Sequence, residues 1–138
     1  MNDLLYEEPG YASLHNHIGW AHLYYTSDVA KAELHLKMAI KFEAEFHPPY
    51  QHIGTLFTRT GRYAEALEYL ERGLALKCNP VAFLENMAQV YELKGEYTRA
   101  IQTYKKASLA SLSSGEMSNH EEGIKRCRKK RLSLFFTF

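Results

Sequence analysis

The feature that most constrains this chain is a recurrence at 34 residues. Gly61-Arg62-Tyr63-Ala64-Glu65-Ala66 is answered by Gly95-Glu96-Tyr97-Thr98-Arg99-Ala100, and stepping back from Ala66 by the same distance lands on Ala32. Further columns keep the spacing: Leu36, Leu70 and Tyr104; Ala39, Gly73 and Ala107; Ile40, Leu74 and Ser108. Ile53-Gly54 matches Met87-Ala88, whereas Ile18-Gly19 lies 35 residues before Ile53-Gly54, so the first unit carries one extra residue before Ala32. An ordinary helical bundle shows a 3.6-residue rhythm but no such long-range recurrence. A period of this length implies stacked helix pairs, each burying its apolar face against a neighbour.

The residue types fit that arrangement. Small residues at Gly54, Ala66, Ala88 and Ala100 let helix backbones approach, and Phe57, Leu70, Tyr91 and Tyr104 fill the space beside them. Gly61 and Gly95 suit the positive φ that ends one helix before the next. Asn79-Pro80 reads as a helix cap followed by a first-turn proline, and Pro48-Pro49 separates two units. Helices are expected over about 11–26, 29–46, 49–60, 63–77, 80–94 and 97–112. Ser113-Ser114-Gly115 reads as a loop, and Ser118-x-x-Glu121 as a capping box opening a last helix over 119–132. Ile124, Cys127 and Leu132 would form its covering stripe.

Tyr50-x2-Ile53-Gly54-x2-Phe57 with Ala66-x3-Leu70-x2-Gly73, and Leu84-x2-Met87-Ala88-x2-Tyr91 with Ala100-x3-Tyr104-x2-Ala107, resemble the tetratricopeptide repeat (TPR). The resemblance covers about residues 12–112 and is weakest in the opening helix, Leu14 to Tyr25. It implies an all-α fold, an α-solenoid of three TPR helix-turn-helix repeats with a C-terminal capping helix. The whole chain reads as one TPR domain, with repeats at about 12–46, 47–80 and 81–114 and a basic capping helix and tail at 116–138.

The same resemblance implies a protein-interaction scaffold that binds a peptide or helix of a partner in a concave groove lined by the first helix of each repeat. The outward positions are then Asn16, His17, Trp20 and Tyr24; Gln51, Thr55, Thr58 and Arg59; and Glu85, Gln89 and Glu92. Trp20 and Tyr24 either anchor a partner side chain or pack against the neighbouring helix. Some TPR domains grip chaperone C-terminal carboxylates with a Lys, Asn and Arg set. Asn16 and Arg59 fit that set, but Gln51, Thr55, Glu85 and Gln89 dilute its positive field.

Charge is uneven. Residues 1–120 hold 11 Lys/Arg and 14 Asp/Glu, whereas residues 121–138 hold 6 Lys/Arg and 2 Glu. The run Lys125, Arg126, Arg128, Lys129, Lys130, Arg131 is interrupted only by Cys127 and followed by Leu134, Phe135, Phe136 and Phe138. Three readings stand: charges solvating the outer face of the capping helix, a nucleic-acid or anionic-surface site, and self-association through the apolar tail, giving a homodimer.

No catalytic, cofactor or metal site is expected. No nucleophile elbow, phosphate-binding loop or HExxH motif is present. Among seven histidines none is paired at i, i+4, and His15 and His22 stand about 10 Å apart along a helix. Glu7-Glu8 and Glu121-Glu122 read as acids near helix starts. Two cysteines without a CxxC pair and an acidic start without an apolar run point to the cytoplasm.

Overall fold

A computed structural model describes residues 10–111 and 114–135, with side chains of the last segment from His120 onward. Within these residues the chain is helical. The elements are α1 (Tyr11–Ala21), continued by a π-helical turn (His22–Thr26), α2 (Val29–Phe42), α3 (Pro48–Arg59), α4 (Tyr63–Leu74), α5 (Val81–Leu93), α6 (Tyr97–Ala110) and α7 (Ser114–Phe135). They gather into two compact units, residues 1–76 and 77–138. The first holds two antiparallel helix pairs, and the second holds one pair plus α7.

The recurring columns form the interior. Ala32, Leu36, Ala39, Ala66 and Leu70 are fully buried in the first unit, as are Ala88, Ala100 and Ala107 in the second. The small residues act by absence: a methyl on Gly54 would lie 2.5 Å from Leu70, and one on Gly19 2.7 Å from Leu36. Gly61 and Gly95 take φ of 77° and 81°, as the sequence predicts. In the corresponding column of repeat one, Ser27 takes φ of 55°, the single left-handed residue other than glycine among the described residues. Asp28 then accepts from Lys31 N at 3.1 Å and caps α2, whereas the cap position of α5 falls to Pro80 rather than the expected Asn79, which accepts from Val81 N at 3.0 Å from just outside the helix.

The π-helical turn explains the extra residue of repeat one. A π turn takes in more residues than an α turn, so the insertion is absorbed at His22–Thr26 and the columns resume in register at Ala32. In the first unit, Arg62 also ties two helix pairs together: it bonds Glu65 at 2.8 and 2.7 Å and reaches Glu33 on α2.

Several boundaries differ from the sequence reading. Helix α2 stops at Phe42, where Glu43 leaves helical backbone with φ of −145° and ψ of 86°, ahead of the Pro48-Pro49 pair that opens α3. The last helix begins at Ser114, so Ser118 lies a turn inside it and is not its cap, and Ser114-Gly115 is helix rather than loop. Glu7, Glu8, Ser113, Phe136 and Phe138 lie outside the described residues. Of the expected covering stripe, Ile124 and Cys127 are buried against Ala88, Ala100, Ile101 and Tyr104, but Leu132 is 58% exposed, close to the end of α7. Gly123 allows this contact, since a methyl there would sit 2.8 Å from the Tyr104 ring.

Candidate functional site

The first helices of the two units present different faces. In the N-terminal unit the π turn brings an aromatic group together with α3. Trp20 lies 5.7 Å from Tyr24 and 5.2 Å from Tyr25, centroid to centroid. Tyr24 meets His52 of α3 edge-on at 6.1 Å, and the Arg59 guanidinium stands 4.8 Å over the Tyr24 ring. Trp20, Tyr24 and Tyr25 are 37%, 39% and 75% exposed. Three aromatic rings and a cation therefore share one partly solvated surface, a composition that anchors partner side chains. Trp20 and Tyr24 are not sealed into a helix seam.

The remaining sequence-predicted positions of this unit divide. His17 is exposed and its ring bonds Ser13 O at 2.8 Å. Gln51 is half-buried; Thr55 and Thr58 donate back to Gln51 O and Gly54 O within α3, at 3.1 and 2.7 Å. Asn16 is buried, with its side-chain oxygen lacking a hydrogen-bond partner. Burial, and secondarily the charge of His17, holds the His52 ring below its ordinary pKa.

Behind this face lies a pair that the sequence reading missed. His15 and His35 join α1 to α2 through Nδ1 atoms 2.8 Å apart, which requires one ring to donate and the other to accept. His22 stacks on His35 at 6.2 Å. Burial first, then the neighbouring histidine, lowers the pKa of His15 and of His35.

In the C-terminal unit the equivalent face is occupied by α7. Glu85 receives the buried His120 at 2.5 Å. Glu92 is buried and gripped by Arg126 at 2.6 and 2.9 Å and by Lys130 at 2.7 Å, with the Tyr104 hydroxyl donating at 3.2 Å. The Arg126 bonds, joined by Lys130, outweigh burial and hold the Glu92 carboxyl at about 2. Burial raises Tyr104 to about 12 and Cys127 to about 11. Glu85 and Glu92 thus point into the helix–helix interface. Of the outward positions named for this repeat, Gln89 alone is exposed.

The basic patch is divided by the same contact. Arg126 and Lys130 face Glu92, and Arg131 approaches Thr98 at 3.4 Å. Lys125, Arg128 and Lys129 face solvent. No group of three or more His, Cys, Asp or Glu side chains among the described residues could hold a metal ion.

Helix pairs with small-residue columns, glycine turns and a covering last helix define an α-helical repeat protein. The sequence model of the tetratricopeptide repeat matches residues 50–80 and 84–116. The fold of the chain is that of solved TPR domains. The TPR2B domain of yeast Sti1, solved as a complex with pHsp70, gives a TM-score of 0.78 at 16% identity, covering 86% of this chain and 97% of that one. The type III secretion translocator chaperone SycD of Yersinia enterocolitica gives 0.81 at 13% identity, covering 94% and 98%. Among curated proteins, the photosystem I assembly protein Ycf3 of Prochlorococcus marinus strain NATL2A is 46% identical over 61 residues, 42% of this chain and 35% of that protein. Its namesake in Synechococcus sp. strain WH7803 is 44% identical over the same shares. The chain spans about a third of the length of these relatives.

Proposed function

We propose that the chain is a protein-interaction scaffold, a reading that its TPR repeats support. We propose that the partner segment docks on the N-terminal unit, on the face built by Trp20, Tyr24, Tyr25, His52 and Arg59. One observation carries this reading: three partly exposed aromatic rings, that of Tyr24 beneath Arg59, gather at a one-residue π insertion. Solvent-exposed rings lose little conformational entropy on binding and bury large areas, so they make strong anchors. Arg59 has no carboxylate partner among the described ion pairs and leaves its donors for a carbonyl or carboxylate of the segment. The work is binding and positioning rather than bond chemistry.

We further propose that the bound partner is a subunit of a larger complex under assembly. The support is the name of the partial relatives, photosystem I assembly protein. Trp20→Ala and Arg59→Ala test both levels. Tagged wild-type protein and the two variants are incubated with detergent-solubilised cyanobacterial thylakoid proteins, and the retained photosystem I subunits are quantified. The expected result is specific retention by the wild type and at least a tenfold loss in each variant, about 1.4 kcal/mol, with unchanged helical circular dichroism. Equal retention by wild type and variants rejects this face. Retention of other proteins, lost in the variants, keeps the face and rejects the photosystem assignment.

A further inference from the structure

The C-terminal run of α7 has a second face that Glu92 does not use. Arg126 and Lys130 turn inward, but Lys125, Arg128 and Lys129 are exposed. Lys125 has only a loose pair with Glu122, at 3.8 Å with both side chains 71% exposed, and no ion pair engages Arg128 or Lys129 among the described residues. At i, i+3, i+4, i+7 and i+10, Lys125, Arg128, Lys129, Leu132 and Phe135 share one side of the helix. The stripe is about 15 Å long. Leu132 is 58% exposed and Phe135 71%, so cations give way to apolar side chains toward the C-terminal turns.

Three occupants compete for such a stripe. Nucleic acid would use the cations, but its phosphates give nothing to an exposed leucine and phenylalanine in the same row, and no aromatic residue stands among the cations to stack on a base. A second copy docked about a two-fold axis centred on the stripe would bring Arg128 and Lys129 of both chains together, like charge on like. An anionic lipid surface satisfies both halves at once: headgroup phosphates neutralise the cations, and Leu132 and Phe135 enter the acyl boundary. Glu121 and Glu122, also exposed, sit at the opposite end, which sets the C-terminal turns toward the lipid. No helix among the described residues is long and apolar enough to cross a membrane, so the contact is one of surface attachment.

We propose that the exposed Lys125–Phe135 stripe of α7 attaches the protein to anionic lipid, at a site separate from the aromatic face of the N-terminal unit. Cosedimentation of the full chain with phosphatidylcholine vesicles, with and without phosphatidylglycerol, tests it. Binding is expected only when phosphatidylglycerol is present, and it should weaken with added salt. The double variant R128Q/K129Q should lower partitioning about 25-fold, roughly fivefold per cation, and L132S/F135S about tenfold or more. Both alter exposed side chains, so helical circular dichroism is unchanged. Trp20→Ala should leave vesicle binding intact, which separates this proposal from the partner face. Absence of binding, equal binding to phosphatidylcholine alone, or full binding by both double variants would overturn it. So would duplex DNA binding that is stronger than vesicle binding, which assigns the stripe to nucleic acid. Dimerisation abolished by L132S/F135S without vesicle binding would also overturn it, in favour of a second copy.

Discussion

Equivalent positions of one repeat meet opposite fates in the two units. Gln51 and Glu85 occupy one column, and Thr58 and Glu92 another. In the N-terminal unit these columns flank an open surface of aromatic rings and Arg59. In the C-terminal unit the acids of the same columns are consumed by His120, Arg126 and Lys130 of α7. A repeat column fixes where a side chain stands; the next element decides whether it is available. A stack must cover its last apolar face, and here the covering helix takes the polar positions along with the apolar ones.

The largest effect is expected where the closed face is opened. Glu92→Gln removes the charge that holds Arg126 and Lys130 but keeps the shape. It should destabilise the C-terminal unit by about 2 kcal/mol, the worth of charge-assisted bonds at a buried carboxylate whose partners retain access to water. Urea unfolding followed by hydrogen exchange should show faster exchange across 120–131 and unchanged exchange across α1. Loss of protection in α1 as well would mean that the two faces are not independent.

Deleting Tyr25 tests the open face. It restores the 34-residue spacing and lets an α-helical turn replace the π turn. Tyr25 is 75% exposed, so stability should change by less than about 1 kcal/mol. Partner binding should fall at least tenfold as Trp20, Tyr24 and Arg59 lose their common surface. Undiminished binding would show that the insertion is incidental.

Acid should separate the units. His15 is held below the ordinary 6.5 by burial and by His35, and His35 by burial, His22 and Lys31. The unfolded chain therefore takes up protons first, and the stability of the N-terminal unit declines as pH falls below about 6.5. Glu92 has the opposite sense: held at about 2 against an ordinary 4.5, it contributes fully above 4.5, and its contribution disappears as pH falls toward 2. Trp20 is the single tryptophan, so its emission reports on the N-terminal unit alone. It should change at a higher pH than the loss of protection in α7. Simultaneous change would contradict this order. The smallest effect is expected for Ser27→Gly, which relieves a left-handed serine and should stabilise by about 0.5–1 kcal/mol in thermal unfolding.

Much of this was legible in the sequence. The columns at Ala32, Ala66 and Ala100, the glycine turns, and the extra residue before Ala32 all appear in the structure, because each expresses a local steric rule repeated at a fixed interval. What the spacing could not show was how the insertion would be absorbed. A π turn and a loop insertion look alike in sequence. Pairings between helices, such as His15 with His35 or Glu92 with Arg126, leave no local pattern. One available signal was missed: Gly123 stands 35 residues after Ala88, in the small-residue column, which marks α7 as resembling the opening helix of a repeat and so brings its side chains against α5. The basic run read as one patch because composition does not distinguish the inward from the outward side of a helix.

The most direct test is a hydrogen-exchange footprint of the bound partner on the full chain. An open N-terminal face and a closed C-terminal one predict new protection across residues 17–25 and 51–59, with the amides of 85–92 unchanged. Protection confined to 85–92, with 17–25 exchanging as in the free protein, would contradict it and show that a partner displaces α7 instead.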